Sequence, residues 1–319
     1  MSLKKAWERM VAANSFAITC HERPDGDALG SILALGHALR AVGKDVTIIS
    51  SDGVPENYTF IPESDTIATT TNRRNFDFGI IVDCAAPSRT GPVAEIIESA
   101  GAKVVIDHHI PEGDFGDIRI INTDASASAQ VILQLLDAGG APIDKTAASQ
   151  LLTGLIADTG GFRFANTNTQ AFEDAARLVR LGAEPSRIYR EVYDNRPLRA
   201  VKLLGRALDS IQMDERGFVA WATVTRNDMD ELGATDTDTD SIVNHVVAVK
   251  GPKVVLLFRE VKPDSIRISL RSRDGVDVNQ IGRVFGGGGH AAAAGCTLDT
   301  SLKQAQEAVI AEVLKWMES

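Results

Sequence analysis

Cysteine, aromatic residues and long apolar runs are all scarce in this sequence. The three cysteines, Cys20, Cys84 and Cys296, are odd in number and widely spaced, which predicts reduced thiols rather than a disulfide framework. No apolar run approaches the roughly 18–20 residues of a membrane span. No apolar core follows the lysines near the N-terminus, so a signal peptide is not predicted either. These features predict a cytoplasmic protein that has no membrane partner.

Basic residues are also fewer than acidic residues. The chain has 33 lysines and arginines against 43 acids, a net charge of −10, which argues against a protein that binds duplex DNA in general. Residues 250–290 reverse this balance, with eight basic and four acidic side chains and a local net charge of +4. The reversal indicates a small anionic ligand bound at one place. A solvated strand face with scattered charges is the alternative.

The length and the order of predicted elements indicate two domains. A chain of 319 residues exceeds the size of about 250–300 residues at which one hydrophobic core stops growing. Strand and helix patterns alternate from residue 15 to 107, which predicts an α/β domain whose mostly parallel sheet has helices on both faces. We predict this domain at 1–193, a helical linker at 194–210 and a smaller α+β domain at 211–319. A cleft is expected between the two domains.

Polar side chains follow the ends of several predicted apolar elements. Strands are predicted at 15–20, 78–82 and 103–107, and a helix is predicted across 147–157. In an open α/β sheet the ligand crevice lies outside the carboxyl ends of the strands. The acids and imidazoles at these ends are His21, Asp25, Asp27, Asp83, Asp107, His108, His109 and Asp158. Such oxygen and nitrogen ligands suit two hard-to-borderline divalent ions such as Mn²⁺.

Local geometry adds two expectations. Gly26 separates Asp25 from Asp27, and an unusual φ at this glycine would let both carboxylates point at one spot. His108 and His109 are expected to point to opposite sides of the strand end, so that one binds metal and the other faces substrate. Each feature taken alone has an ordinary interpretation as a turn, a helix cap or a solvent-facing acid.

Five segments together resemble the DHH phosphoesterase superfamily. Four match its N-terminal motifs: His21-Glu-Arg-Pro-Asp-Gly-Asp-Ala-Leu-Gly-Ser31, Asp83, Asp107-His108-His109 and Gly154-Leu-Ile-Ala-Asp158-Thr-Gly-Gly-Phe162. The fifth, Phe285-Gly-Gly-Gly-Gly-His290-Ala-Ala-Ala-Ala-Gly295, is similar to the glycine-rich signature of the DHH-associated C-terminal domain. Length and domain plan resemble the nano-RNase branch, oligoribonucleases that also remove the 3′-phosphate from adenosine 3′,5′-bisphosphate (pAp).

The resemblance implies a role for each matching residue. One metal ion would be held by His21, Asp25 and Asp83. The second would be held by Asp27, Asp83, His108 and Asp158, with Asp83 bridging. His109 would face the scissile phosphate, and Asp107 would orient a ligand histidine. The remaining substrate contacts would be Arg89 in the first domain and Arg271, Gly286, Gly287, Gly288, Gly289 and His290 in the second.

We therefore expect a two-metal, Mn²⁺-dependent enzyme that degrades short single-stranded RNA from an end and dephosphorylates pAp. Hydrolysis of linear or cyclic dinucleotides is an alternative. Polyphosphate or pyrophosphate hydrolysis is disfavoured because those relatives carry a different C-terminal domain, and a long-strand DNA exonuclease because no extra single-strand-binding domain is present. A non-catalytic nucleotide-binding protein would be expected to lose at least one ligand. Oligomeric state is left open, a homodimer included.

Overall fold

The computed structural model describes residues 1–84, 86–111, 113–239, 242–273 and 275–317, without the side chain of His290. The chain divides into two compact units, Met1–Asn195 and Arg196–Ser319. Across the described residues, no helix combines the length and the apolar character needed to cross a membrane.

The first unit is built on a five-stranded sheet in which all neighbouring strands are parallel, in the order β2-β1-β3-β4-β5. The strands are β1 (Ser15–Thr19), β2 (Asp45–Ile49), β3 (Phe78–Val82), β4 (Ala102–Asp107) and β5 (Ile118–Ile121). The helices are α1 (Leu3–Val11), α2 (Gly26–Ala41), α3 (Ala94–Glu98), α4 (Ser128–Gly139), α5 (Lys145–Asp158), α6 (Thr169–Arg180) and α7 (Pro185–Tyr189). A π-helical turn, Arg190–Asp194, follows α7. The predicted parallel sheet is confirmed.

Both faces of this sheet are covered, because successive side chains of a strand point to opposite faces. Phe16 and Ile18 of β1 lie in the larger apolar cluster with Leu33 of α2. Ala17, between them, lies in a separate cluster with Ile97 of α3. Strands buried on both sides are continuously apolar, which is why β1, β3 and β4 are recognisable in the sequence.

The second unit contains a six-stranded mixed sheet in the order β10-β11-β9-β8-β7-β6, in which only β7 and β8 are parallel. The strands are β6 (Gln212–Met213), β7 (Val219–Val224), β8 (Val254–Lys262), β9 (Ser265–Ser272), β10 (Gly288–His290) and β11 (Ala293–Leu298). The helices are α8 (Leu198–Asp209), α9 (Arg226–Leu232), α10 (Ile242–Val246), α11 (Val278–Val284) and α12 (Leu302–Met317). The sequence pattern predicts a longer helix over 238–249, whereas α10 spans only Ile242–Val246, and residues 240 and 241 lie outside the described residues. The predicted α+β class is confirmed.

The glycine run at 286–290 predicts a loop from the sequence, but part of it is a strand. Gly288–His290 is strand β10, and it pairs antiparallel with β11, with Gly288 opposite Gly295. A Cβ at Gly287 would lie 2.1 Å from the carbonyl oxygen of Gly295, so only glycine fits this close backbone approach. The expectation of a loop was wrong because pairing, rather than β-branched side chains, makes this strand.

Helices α2 and α5 cross so closely that substitution at Gly30 should destabilise the first unit. A Cβ there would lie 2.4 Å from the carbonyl oxygen of Gln150. We expect Gly30→Ala to lower the free energy of unfolding in urea by about 1–3 kcal/mol, because backbone must move apart. Gly205→Ala in α8 is the control, since nothing lies within 4 Å of that position. It should be neutral or stabilising by up to about 1 kcal/mol, and equal losses in both variants would contradict the packing argument.

Candidate functional site

The carboxyl ends of three neighbouring strands, β1, β3 and β4, bring acids and imidazoles together. Asp83 directly follows β3, is 2 % exposed, and has a left-handed backbone with φ of 63°. This conformation is uncommon for a residue other than glycine, and such strain collects at functional sites. Asp107 is the last residue of β4, and His21 lies two residues beyond β1. These side chains therefore lie at the carboxyl ends of the strands, where the sequence predicts them.

Asp83 is the centre of overlapping groups of potential metal ligands. In each group, one ligand atom per residue lies within 4.8 Å of the others. Nε2 of His21 lies 3.4 Å from Oδ2 of Asp83, and Nε2 of His108 lies 3.7 Å from Oδ1 of the same carboxylate. The groups are His21 with Asp25 and Asp83; Asp27 with His108 and Asp158; and Asp83 with His108 and His109. All six residues predicted as ligands are thus brought together.

His108 tests whether these residues fit a cation. Its Nδ1 donates to the carbonyl oxygen of Ala125 at 3.2 Å, which directs the Nε2 lone pair toward the carboxylates. Nε2 is buried without a hydrogen-bond partner in the described structure, 3.5 Å from Oδ2 of Asp158. A buried polar atom without a partner requires an explanation. An imidazole fixed through its other nitrogen and surrounded by carboxylates is a typical ligand for a divalent ion, so the donor set fits one.

Asp107 orients the imidazole ring of His109 and not that of His108. Its Oδ1 accepts from the backbone N–H of both histidines, at 2.8 and 3.1 Å, and from Nδ1 of His109 at 2.8 Å. The expectation that the two histidines point to opposite sides was wrong. Their ring centroids are 4.4 Å apart and both rings lie near Asp83, because β4 ends at Asp107 and strand alternation no longer applies.

The expected unusual φ at Gly26 was also wrong. Gly26 is the first residue of α2 and has no positive φ. Asp25 is the N-cap of this helix, and its Oδ1 accepts from the backbone N–H of Asp27 and of Ala28, both at 3.0 Å. Glycine is needed for space instead, since a Cβ at Gly26 would lie 2.7 Å from Cβ of Ala157.

Asp27 also caps a helix that lies a hundred residues further along the chain. Its Oδ2 accepts from the backbone N–H of Ser128 at 2.6 Å, and its Oδ1 accepts from that of Ala129 at 2.9 Å. These are among the first N–H groups of α4, which have no partner within their own helix. The hydroxyl of Ser128 donates to Oδ1 of Asp83 at 2.9 Å. The start of α4 is therefore part of the site.

The protein groups of the site shift one another's pKa values in opposite directions. Burial alone would raise the pKa of Asp83, but the hydrogen bond with His21 and the nearby imidazoles outweigh it and lower this pKa to about 2. Burial opposes protonation of His21, yet Asp83 and Asp25 raise its pKa to about 9. Burial and then the charge of Asp83 raise the pKa of Asp27 to about 7. The protein alone thus offsets its clustered negative charge with protons.

Comparison with known proteins identifies the family. The DHH family, N-terminal domain, matches residues 15–155, and the DHHA1 domain matches residues 217–319. The chain is 33% identical over 317 residues to the bifunctional oligoribonuclease and PAP phosphatase NrnA of Thermus thermophilus, covering 96% of this chain and 94% of that one. The chain belongs to the DHH family. The resemblance of its motifs to this family is confirmed.

Two further comparisons cover most of this DHH chain. The bifunctional oligoribonuclease and PAP phosphatase NrnA of Bacillus subtilis is 27% identical over 87% of each chain. The crystal structure of an exopolyphosphatase-related protein from Bacteroides fragilis is 26% identical and superimposes with a TM-score of 0.92 over 98% of this chain and 96% of that one. The likeness therefore includes both the DHH domain and the DHHA1 domain.

None of the predicted substrate contacts belongs to the groups of potential metal ligands among the described residues. Arg89 is an exposed residue in the 3₁₀ segment Pro87–Val93, and its carbonyl oxygen accepts from the N–H of Glu22 at 2.7 Å. Arg271, in β9 of the DHHA1 domain, donates from Nε to Oδ1 of Asn244 at 3.3 Å, and burial lowers its pKa. Among the described side chains, no carboxylate lies within ion-pair distance of Arg271. Such a guanidinium is suited to an anion supplied by a ligand.

The glycine run lies in the same sheet as this arginine, with β11 between them. Gly286 and Gly289 have φ values of 72° and 150°, which favour glycine. Arg271 lies opposite Ala293 of β11, and Ala293 lies opposite His290 of β10. The predicted contact from the imidazole of His290 falls outside the described side chains.

Sequence reasoning missed two residues of the DHH site. Ser128, described above, contacts Asp83 and Asp27. Nδ2 of Asn166 donates to the carbonyl oxygen of Asp158 at 3.1 Å and to its Oδ2 at 3.3 Å, which orients that carboxylate. Asn166 follows Asp158 by eight residues in a polar Asn-Thr-Asn segment, which is a weak signal. Nothing in the sequence marks Ser128, since its partners are distant in the chain.

Proposed function

We propose that this protein is a metal-dependent phosphohydrolase that degrades short oligoribonucleotides and removes the 3′-phosphate from pAp. The observation that carries this proposal is Nε2 of His108, which is buried without a hydrogen bond between the carboxylates of Asp83 and Asp158. Two of the relatives named above are bifunctional oligoribonucleases and PAP phosphatases. An imidazole fixed through Nδ1, with Nε2 facing carboxylates, is well suited to hold a divalent ion.

Two metal ions would be held by overlapping residue sets. His21, Asp25 and Asp83 would hold the first, and Asp27, Asp83, His108 and Asp158 the second, with Mn²⁺ as the expected ion. When bound, such ions supply an activated water and offset the negative charge that develops on phosphate. Asp83 supports the bridging role because it lies close to histidines of both sets.

The remaining residues of the DHH domain would orient the phosphate and its leaving group. Asp107 fixes the ring of His109 through Nδ1, which places Nε2 on the opposite side of the ring. His109 would use that edge to hydrogen-bond or protonate the leaving oxygen. Asn166 and Ser128 would keep the carboxylates of Asp158 and Asp83 in place. Arg89 would contact a phosphate oxygen, because its guanidinium suits two parallel hydrogen bonds.

The DHHA1 domain would hold the nucleotide. Its basic window, 250–290, contains Arg271 and the glycine run. Backbone without side chains at Gly286–Gly289 lets an anion or a base approach closely. With hydrolysis in the DHH domain and nucleotide binding in the DHHA1 domain, one active site would serve both an oligonucleotide and a mononucleotide.

A panel of substrates tests the proposed function. The purified protein with Mn²⁺ should hydrolyse pAp and a ribodinucleotide faster than a ribo-24-mer, a cyclic dinucleotide or polyphosphate. Preference for the cyclic dinucleotide or for polyphosphate would replace the proposed substrate class. Nucleotide binding without any turnover would indicate a non-catalytic binding protein.

Removal of the Arg271 side chain should weaken substrate binding more than chemistry. Arg271→Ala loses a charge-assisted donor, on the order of 1–3 kcal/mol. Because that contact would be equal in ground and transition states, KM for a ribodinucleotide should rise by about 5- to 150-fold. The effect on bis-p-nitrophenyl phosphate, which has no nucleoside for the DHHA1 domain to hold, should be much smaller. Lys303→Ala, an exposed charge loss on α12, is the control, and equal losses on both substrates would contradict this assignment.

A further inference from the structure

Two half-exposed aromatic rings, Phe164 and Tyr189, lie against the turn that follows Asp158 at the end of α5. Gly160 and Gly161 follow Asp158 by two and three residues, with φ values of 60° and 69°. A Cβ at Gly160 would lie 2.5 Å from the ring of Phe164, and one at Gly161 would lie 2.8 Å from the ring of Tyr189. Phe164 and Tyr189 are each 40% exposed. Both rings are therefore placed against the turn that follows Asp158.

This placement is rigid on the side of Tyr189. The ring of Tyr193 lies 4.9 Å from that of Tyr189, centroid to centroid. The hydroxyl of Tyr193 donates to the carbonyl oxygen of Ile156 at 3.0 Å, in the same helical turn as Asp158. Tyr193 belongs to the π-helical turn Arg190–Asp194, and π-helical turns are often found at functional sites. The aromatic pair is thus tied to the ligand-bearing end of α5.

A cation lies beside one of the exposed rings, that of Phe164. Nε of Arg163 donates to the carbonyl oxygen of Gly160 at 2.8 Å, and its guanidinium carbon lies 5.9 Å from the centroid of the Phe164 ring. Scattered exposed aromatic residues need no explanation. Two half-exposed rings with an arginine, next to a phosphate-hydrolysing centre, have the composition that binds single-stranded nucleic acid by stacking its bases.

We propose that Phe164 and Tyr189, with Arg163, form a stacking platform for one nucleobase of the substrate. The proposal rests on the proposed function and adds a second point of recognition, on the DHH domain itself. The occupant is the base of the nucleotide whose phosphate is at the metal centre, because the two rings lie against Gly160 and Gly161, two and three residues after Asp158. Stacking accepts every base, so this contact favours nucleotides over polyphosphate or pyrophosphate without specifying a sequence.

The test compares substrates that differ only in one base. KM is measured for a ribodinucleotide and for two analogues, each lacking one of the two bases. Stacking is worth about 1–3 kcal/mol per base, so in the unmodified protein one analogue should have a KM about 5- to 150-fold higher than the intact dinucleotide. In Phe164→Ala and in Tyr189→Ala this ratio should fall toward one, and Phe164→Trp and Tyr189→Phe should retain it.

Phe172→Ala is the matched control. Phe172 is also an exposed phenylalanine, at 57%, but its ring stacks on Phe162 with centroids 5.2 Å apart. This variant should keep the ratio of the unmodified protein. A ratio near one in the unmodified protein, or a ratio that survives in Phe164→Ala and Tyr189→Ala, would overturn the platform while leaving the proposed function standing. Failure of the unmodified protein to hydrolyse the dinucleotide would overturn both.

Discussion

An Asp83→Asn variant should lose turnover on every substrate by about a thousand-fold or more, which corresponds to roughly 4 kcal/mol of transition-state stabilisation. The reason is that one carboxylate would serve both metal ions, and a neutral amide cannot replace it. Asparagine is a cleaner substitution than alanine because the backbone at position 83 is left-handed, with φ of 63°. Asparagine tolerates that conformation well, whereas alanine would add backbone strain to the loss of a ligand.

The Asp83→Asn experiment requires metal content as well as activity. Asp114→Asn removes the same charge from an acid that is fully exposed and paired with Arg119, so it should keep full activity. Elemental analysis should show less bound Mn²⁺ in Asp83→Asn, while circular dichroism shows a folded chain. More than a few per cent of activity with unchanged metal content would exclude a bridging role for Asp83.

Chelation of divalent ions should abolish turnover, Mn²⁺ should restore it, and the affinity for Mn²⁺ should fall as the pH falls. Histidine binds a metal ion only as the neutral imidazole. In the protein alone the pKa of His21 is raised to about 9 and that of Asp27 to about 7. Below about pH 9 a proton on His21 therefore competes with the ion, and below about pH 7 a second proton on Asp27 competes as well. Affinity should rise with pH across this range.

Calorimetry can count the protons in this reaction. Titrating Mn²⁺ into the chelator-treated protein in two buffers of different ionisation enthalpy, at pH 7, should show proton release on binding. The His21→Gln variant should bind Mn²⁺ more weakly and release fewer protons. Full activity without any divalent ion would refute the requirement, and binding without proton release would refute the competition.

The sequence predicts the parts of the site that follow apolar strands. β1, β3 and β4 are buried on both faces, so each is a short apolar run in the sequence. The ends of these runs predict the positions of His21, Asp83 and Asp107. The helix that ends at Asp158 was predicted for a similar reason, since α5 is largely buried. Where a buried element ends, a polar residue is conspicuous.

Other parts of the fold and the site depend on contacts between distant segments. β10 and β11 consist mostly of glycine and alanine, and only their pairing with each other and with β9 makes them strands. The hydroxyl of Ser128 reaches Asp83 across 45 residues of sequence. His108 and His109 lie beyond the end of β4 at Asp107, so strand alternation does not set the orientation of their rings. Local patterns contain no information about any of these.

The cap that Asp27 provides for α4 has a consequence for how this family can change over time. His21 and Asp158 cap no helix in the described structure, so a descendant that no longer needs catalysis could replace either residue at little cost to folding. Asp27 also satisfies the N–H groups of Ser128 and Ala129, and loss of such a cap costs about 1 kcal/mol. In inactive relatives, we therefore expect Asp27 to persist longer than Asp158 or His21, so its presence alone is poor evidence of activity.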